Sequence, residues 1–180
     1  MYVGSGFEEE IPVTESPRDN TGMNIRPAVP QDMAAVSAID AKITGAEKPE
    51  YWSEMFERFG RHDGRYFLMA ETAMGSVSGY IVGEVRAWEF GSPPCGWIFA
   101  IGVDPDERMR GIGTGLFDSI CTELEARSID TVRTMTARDD ELIISFFRSQ
   151  GMMGGPFIEL EMPLGGRDRW HDGAKAEGKG

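Results

Sequence analysis

Apolar residues recur at helical spacing in four stretches of the chain and cluster at strand length between them. Pro30, Gln31 and Asp32 open the first helical stretch, where Met33, Val36 and Ile39 fall on one side. A second helix is expected at Pro49–Phe59, with Tyr51, Trp52, Met55, Phe56 and Phe59 on its apolar side. The third is marked by Leu116, Ile120 and Leu124 at i, i+4 and i+8, with Phe117 and Cys121 beside them. Asp139 and Asp140 suit the start of a fourth, which carries Leu142, Ile143, Phe146 and Phe147 and stops at Gly151. Strands are expected at Asn24–Pro27 and over 66–71, 77–90, 96–103, 132–136 and 157–162. The Gly91-Ser92-Pro93-Pro94 break between two of these runs is a turn signal, so 80–88 and 96–103 should form a hairpin.

This order predicts an α/β fold with a mixed, mostly antiparallel central sheet flanked by helices. At 180 residues the chain has room for one ordinary domain. Residues 1–22, rich in Glu, Pro and Gly, read as a flexible extension, and 165–180 as a flexible tail, which leaves 23–164 as the folded unit. Hydrophobic residues make up 41% of the sequence, enough for a real core. No apolar run is long enough to span a membrane. The opening MYVGSGFEEE has neither part of a secretory signal, so a cytoplasmic location is expected.

Thirty acidic residues against eighteen basic ones give a net charge of −12. That field disfavours nucleic acid and anionic lipid, whose phosphates need clustered Lys and Arg. Cys95, Cys121, His62 and His171 fit no zinc spacing, and no metal is expected. The two cysteines read as reduced core or loop residues.

The candidate chemistry lies in residues 98–116, IFAIGVDPDERMRGIGTGL. A buried strand ends at Val103, and Arg108, Met109, Arg110, Gly111, Ile112, Gly113, Thr114 and Gly115 lead into a helix. Glycines let the backbone approach a ligand closely, and the first amides of a helix lack intrahelical acceptors. Together with two arginines they suit a diphosphate. The bland alternative is a turn that merely tightens helix-on-sheet packing. A Walker loop would need GxxxxGK, and a dinucleotide fingerprint GxGxxG; neither is present.

Val103-x-Pro105 followed by Arg108-x-x-Gly111-x-Gly113 resembles the acetyl-CoA signature of the GCN5-related N-acetyltransferase (GNAT) superfamily. A second, degenerate block, DELIISFFRSQGM, places Asp140, Ile143, Phe146, Phe147, Gly151 and Met152 at that family's remaining motif positions. The resemblance implies transfer of an acetyl group from acetyl-CoA to a primary amine of a small molecule or peptide, and a possible homodimer. It implies that Arg108 to Gly115 wrap the diphosphate of coenzyme A and that the backbone of Ile101, Gly102 and Val103 pairs with the pantetheine arm. An amide near Ile101 would then polarise the thioester carbonyl.

Phe147 stands where the family commonly has an acidic Tyr, and a phenyl ring cannot donate a proton. The strand before the turn carries no carboxylate, so Glu84 or Glu89 on the preceding strand is the nearest candidate base, against the plainer reading of a solvated face. Tyr80 is a substitute acid. By the same resemblance Thr44, Tyr51, Trp52 and Trp88 would line the amine site, although the aromatics serve equally as core. Two other functions stay open: a non-catalytic acyl-CoA-binding module, and a nucleotide-phosphate binder with an imitation loop.

Overall fold

The computed structural model describes residues 23–60 and 62–162. Five strands form one sheet in sequence order: β1 (Asn24–Pro27), β2 (Arg65–Glu71), β3 (Val77–Arg86), β4 (Cys95–Val103) and β5 (Val132–Thr134). The first four pair antiparallel, and only β4 and β5 run parallel. A parallel pair needs a long crossover, which α3 (Ile112–Glu125) supplies. Two helices, α1 (Met33–Thr44) and α2 (Pro49–Phe59), connect β1 to β2, and α4 (Glu141–Ser149) follows β5.

The two faces of the sheet carry different helices. Val36 and Ile39 of α1 and Trp52, Met55, Phe56 and Phe59 of α2 bury themselves with Phe67, Met69, Tyr80 and Val82. On the opposite face glycines of the sheet let α3 approach closely. A Cβ on Gly83 would lie 2.9 Å from Ile120 Cδ1, and one on Gly96 only 2.3 Å from Leu124 Cδ1. Burying each large apolar side chain on either face is worth about 1.5–3 kcal/mol.

Local chemistry sets the helix limits. Pro49 occupies the first turn of α2, where its missing N–H costs nothing. α1 ends at Gly45, which takes φ 77° and donates its N–H to the Ala41 carbonyl. Arg26 joins three elements, donating to both oxygens of Asp32 at 2.7 and 2.9 Å and through Nε to Glu71 at 2.7 Å.

Two expected strands end differently. β3 stops at Arg86 instead of continuing to residue 90, because Trp88 and Phe90 adopt φ of 64° and 48°, outside extended backbone. Residues 157–162 carry no strand, and Ile158 and Leu160 are exposed. Alternating apolar residues specify a face, but a strand also needs a neighbouring edge for its backbone groups. The chain divides into two compact units, Met1–Ile144 and Ser145–Gly180. In the second, Gln150 N–H bonds the Phe146 carbonyl and Met152 N–H the Phe147 carbonyl, closing the end of α4 around Gly151 at φ 88°. The expected extension 1–22 and tail 165–180 lie outside the described residues. Among the described residues no helix is long and apolar enough to cross a membrane.

Candidate functional site

β4 is paired along its whole length on one side and along only part of it on the other. It follows β3 as far as Gly79↔Val103, but β5 only from Gly96↔Val132 to Ile98↔Thr134. The Thr134 hydroxyl donates to the Ile98 carbonyl at 2.8 Å, where the two strands part. A register shift at Val82/Gly83 makes Phe99 an extra residue of β4, a bulge of the kind that bends a strand away from its neighbour. Asp104 N–H bonds the Ser78 carbonyl, which sets the alternation. Gly102 and Ala100 therefore turn their backbone groups to β3, and Ile101 and Val103 turn theirs to the edge that β5 has left.

The chain then turns tightly into α3. The Asp104 carboxylate accepts the Asp106 N–H, and Lys42 on α1 bonds both Asp104 and Asp106 at 2.8–2.9 Å. The Lys42 ammonium holds the Asp104 carboxyl below its usual range. Met109 and Gly111 both take left-handed φ, 66° and 76°, and a Cβ on Gly111 would meet nothing within 4 Å. The first bond of the helix runs from Gly115 N–H to the Gly111 carbonyl, so the amides of Ile112 and Gly113 precede the ladder. Arg108 and Arg110 are exposed beside them, with Arg110 2.6 Å from Glu107. Gly79 brings this helix start close to β4: its Cβ would lie 2.9 Å from the Gly102 carbonyl and 3.1 Å from Ile112 and Leu116.

The face of the sheet under α1 and α2 carries the other candidates. Tyr80, directly opposite Gly102, is buried with its ring against that glycine, where a Cβ would lie 2.6–2.8 Å from ring and hydroxyl atoms. Burial first, and then the charge of Asp40, raise the Tyr80 phenol well above its ordinary pKa. Trp52 is a core residue, edge-on to Tyr80 at 4.9 Å, and donates its indole N–H to Asp40 at 3.0 Å. Tyr51 is half-exposed and edge-on to Trp52. The Thr44 hydroxyl donates to the Asp40 carbonyl at 3.0 Å.

Glu84 and Trp88 lie away from the turn into α3. Glu84 pairs across from Trp97, accepts from Arg86 Nε at 3.0 Å and lies 3.7 Å from Arg65 Nε. Trp88 is exposed at the hairpin tip, beyond the start of β4 rather than at its open end. Phe147 belongs to the second unit, where it is buried and edge-on to Phe146 at 5.2 Å. Asp40 is a candidate that sequence reasoning misses. Its signal is a carboxylate in the stripe of α1 that begins Met33, Val36 and Ser37.

Residues 33–152 match the family described as Acetyltransferase (GNAT) family. The chain is 30% identical over 156 residues to a mycothiol acetyltransferase of Saccharomonospora viridis, covering 82% of this chain and 50% of that protein. A mycothiol acetyltransferase of Thermobispora bispora is 29% identical over 78% of this chain and 49% of its own. The chain thus spans about half the length of these curated relatives. Among solved structures, the aminoglycoside 6'-N-acetyltransferase AAC(6')-Ih of Acinetobacter baumannii superimposes with TM-score 0.68 at 18% identity, over 79% of this chain and 99% of that one. AAC(6')-Iy in complex with CoA gives 0.68 at 15% identity, over 79% and 95%. At such identity these two neighbours speak for the fold, and the matched family profile covers most of the sequence. The chain belongs to the GNAT acetyltransferase family.

Proposed function

We propose that this chain is an N-acetyltransferase that moves the acetyl group of acetyl-CoA to a primary amine of a small molecule or peptide. One observation carries the reading. Among the described residues the edge of β4 at Ile101 and Val103 is left unpaired, and it runs directly into the left-handed turn at Met109 and Gly111 and the leading amides of α3. Such an edge suits the amide-bearing pantetheine arm, which can add to it as a strand does. Amides at a helix start suit a diphosphate. The donor set therefore fits coenzyme A, with Arg108 to Gly115 holding its diphosphate and Ile101, Gly102 and Val103 its arm. Phe147 is assigned to the cofactor site by resemblance alone.

When bound, acetyl-CoA supplies an acyl group activated as a thioester. The chain's own part is to place and polarise. The Ile101 N–H points from the open edge, where it can donate to a carbonyl oxygen and favour attack at the adjoining carbon. Arg108 and Arg110 add positive charge in an otherwise acidic protein. Glu84 is the proposed proton acceptor. It stands opposite Trp97, four residues from Ile101, roughly 13 Å along a strand, too far for one bridging water, so the proton would reach it along a chain of waters.

A second reading, an acyl-CoA-binding module without turnover, draws on Phe147 at the position of the family's usual acid. Two measurements separate the readings. Thermal stabilisation by coenzyme A but not by NAD or ATP is expected under both. Release of free thiol from acetyl-CoA, dependent on an added amine, is expected only of the enzyme. Stabilisation by NAD or ATP alone would overturn both.

A further inference from the structure

The buried stripe of α1 ends on a charge. After Met33, Val36, Ser37 and Ile39 it reaches Asp40, whose side chain is 8% exposed. A carboxylate so placed is costly unless its oxygens are bonded. Both partners found for it, Trp52 Nε1 at 3.0 Å and Lys48 Nζ at 2.8 Å, bond the same oxygen, Oδ2. Among the described residues neither Asp40 Oδ1 nor the Tyr80 hydroxyl has a hydrogen-bond partner. Neither of these two atoms is fully enclosed.

Tyr80 borders the reactive strand, and Trp52 links it to Asp40. The Tyr80 ring lies against Gly102, between Ile101 and Val103, and Trp52, whose indole N–H bonds Asp40, packs edge-on against Tyr80 at 4.9 Å. We propose that Asp40, together with the Tyr80 hydroxyl, receives the primary ammonium of the acceptor substrate. The inference rests on the acetyl-transfer reading and names the residue that selects its amine. A primary ammonium has three N–H donors and a charge. Asp40 Oδ1 accepts one donor, its charge shared between this ammonium and Lys48, and Tyr80 Oη accepts another. An alcohol of the same shape brings one donor and no charge. Lys48 already places a primary ammonium on the other oxygen, from a connection that begins at left-handed Gly45.

A purely structural Asp40, tying α2 to α1 through Trp52, would behave differently. Asparagine keeps an oxygen for the Trp52 indole and removes only the charge, so Asp40→Asn separates the roles. The protein without acyl donor is titrated with 2-phenylethylamine, ethanolamine and glucosamine, each beside its hydroxyl counterpart, while the Trp52 indole N–H resonance is followed. At least one amine is expected to bind about tenfold more tightly than its counterpart, and Asp40→Asn to abolish that preference. Coenzyme A affinity in the variant should stay within about twofold of wild type. In turnover, Asp40→Asn should raise KM for the amine with little change in kcat. Tyr80→Phe keeps the ring and should lower amine affinity several-fold. No response to any amine, or a preference that survives either substitution, overturns the proposal. Failure of the acetyl-transfer reading would show separately, as no stabilisation by coenzyme A or as no release of free thiol from acetyl-CoA with an amine that binds.

Discussion

Gly111→Asp tests the diphosphate assignment with a charge placed at the turn itself. Gly111 sits at φ 76° and ψ 4°, capping α3, and a Cβ added there would have no neighbour within 4 Å. The substitution meets no steric wall, and left-handed backbone costs a non-glycine residue about 1–2 kcal/mol. Aspartate is among the residues that tolerate that region, so the protein should stay folded with its melting temperature lowered by a few degrees. Its carboxylate would stand beside the amides of Ile112 and Gly113. At about 5 Å from a bound phosphate charge and an effective dielectric of about 20, repulsion is about 3 kcal/mol. Coenzyme A affinity should therefore fall roughly 100-fold. Gly111→Asn carries the same backbone strain without the charge and should stay within about tenfold of wild type by the same conversion. Titration calorimetry on the three proteins reads the difference. Wild-type affinity in Gly111→Asp would show that no anion binds at this turn.

Glu84→Gln should lower turnover more than it alters coenzyme A affinity; unchanged steady-state turnover dismisses Glu84 as the base. Gly79→Val should cost about 1–3 kcal/mol in denaturant unfolding, because its Cβ meets the Gly102 carbonyl of β4 at 2.9 Å and Ile112 and Leu116 of α3 at 3.1 Å, and must push them away. Asp32 gives a pH signature: burial opposes its charge, but the Arg26 hydrogen bonds and the Val29 N–H outweigh that and lower its pKa. Its contribution is therefore complete above the unfolded carboxyl pKa and fades as pH falls through the lower folded one. Wild type should melt above Asp32→Asn at neutral pH, and the gap should close in acid; a gap independent of pH would contradict the ion pair.

The helices and most strands are legible in the sequence because their signals are local. Pro49 and the apolar run to Phe59 mark α2 at both ends, and Leu116, Ile120 and Leu124 mark the face of α3 that meets the sheet. The turn from Val103 to Gly115 is legible because it needs glycines and proline at fixed places. What depends on pairing is not. The alternation in 157–162 resembles a strand, yet no residue there records whether an edge is offered to it. The length of the open edge of β4 follows from β5 ending its pairing at Thr134, which its composition does not announce. Asp40 of α1 bonds Trp52 of α2, whose ring packs on Tyr80 of β3, so only packing brings the three together.

The proposed function depends above all on coenzyme A binding along the edge of β4 that β5 leaves and the helix start that follows it. Backbone amide resonances measured during titration with coenzyme A test this most directly. The largest shifts are expected at Ile101, Val103, Ile112 and Gly113, with the amides of β1 and β2 nearly unmoved. Shifts centred instead on the crevice lined by Arg65, Glu84 and Arg127, or absent at saturating ligand, would contradict it.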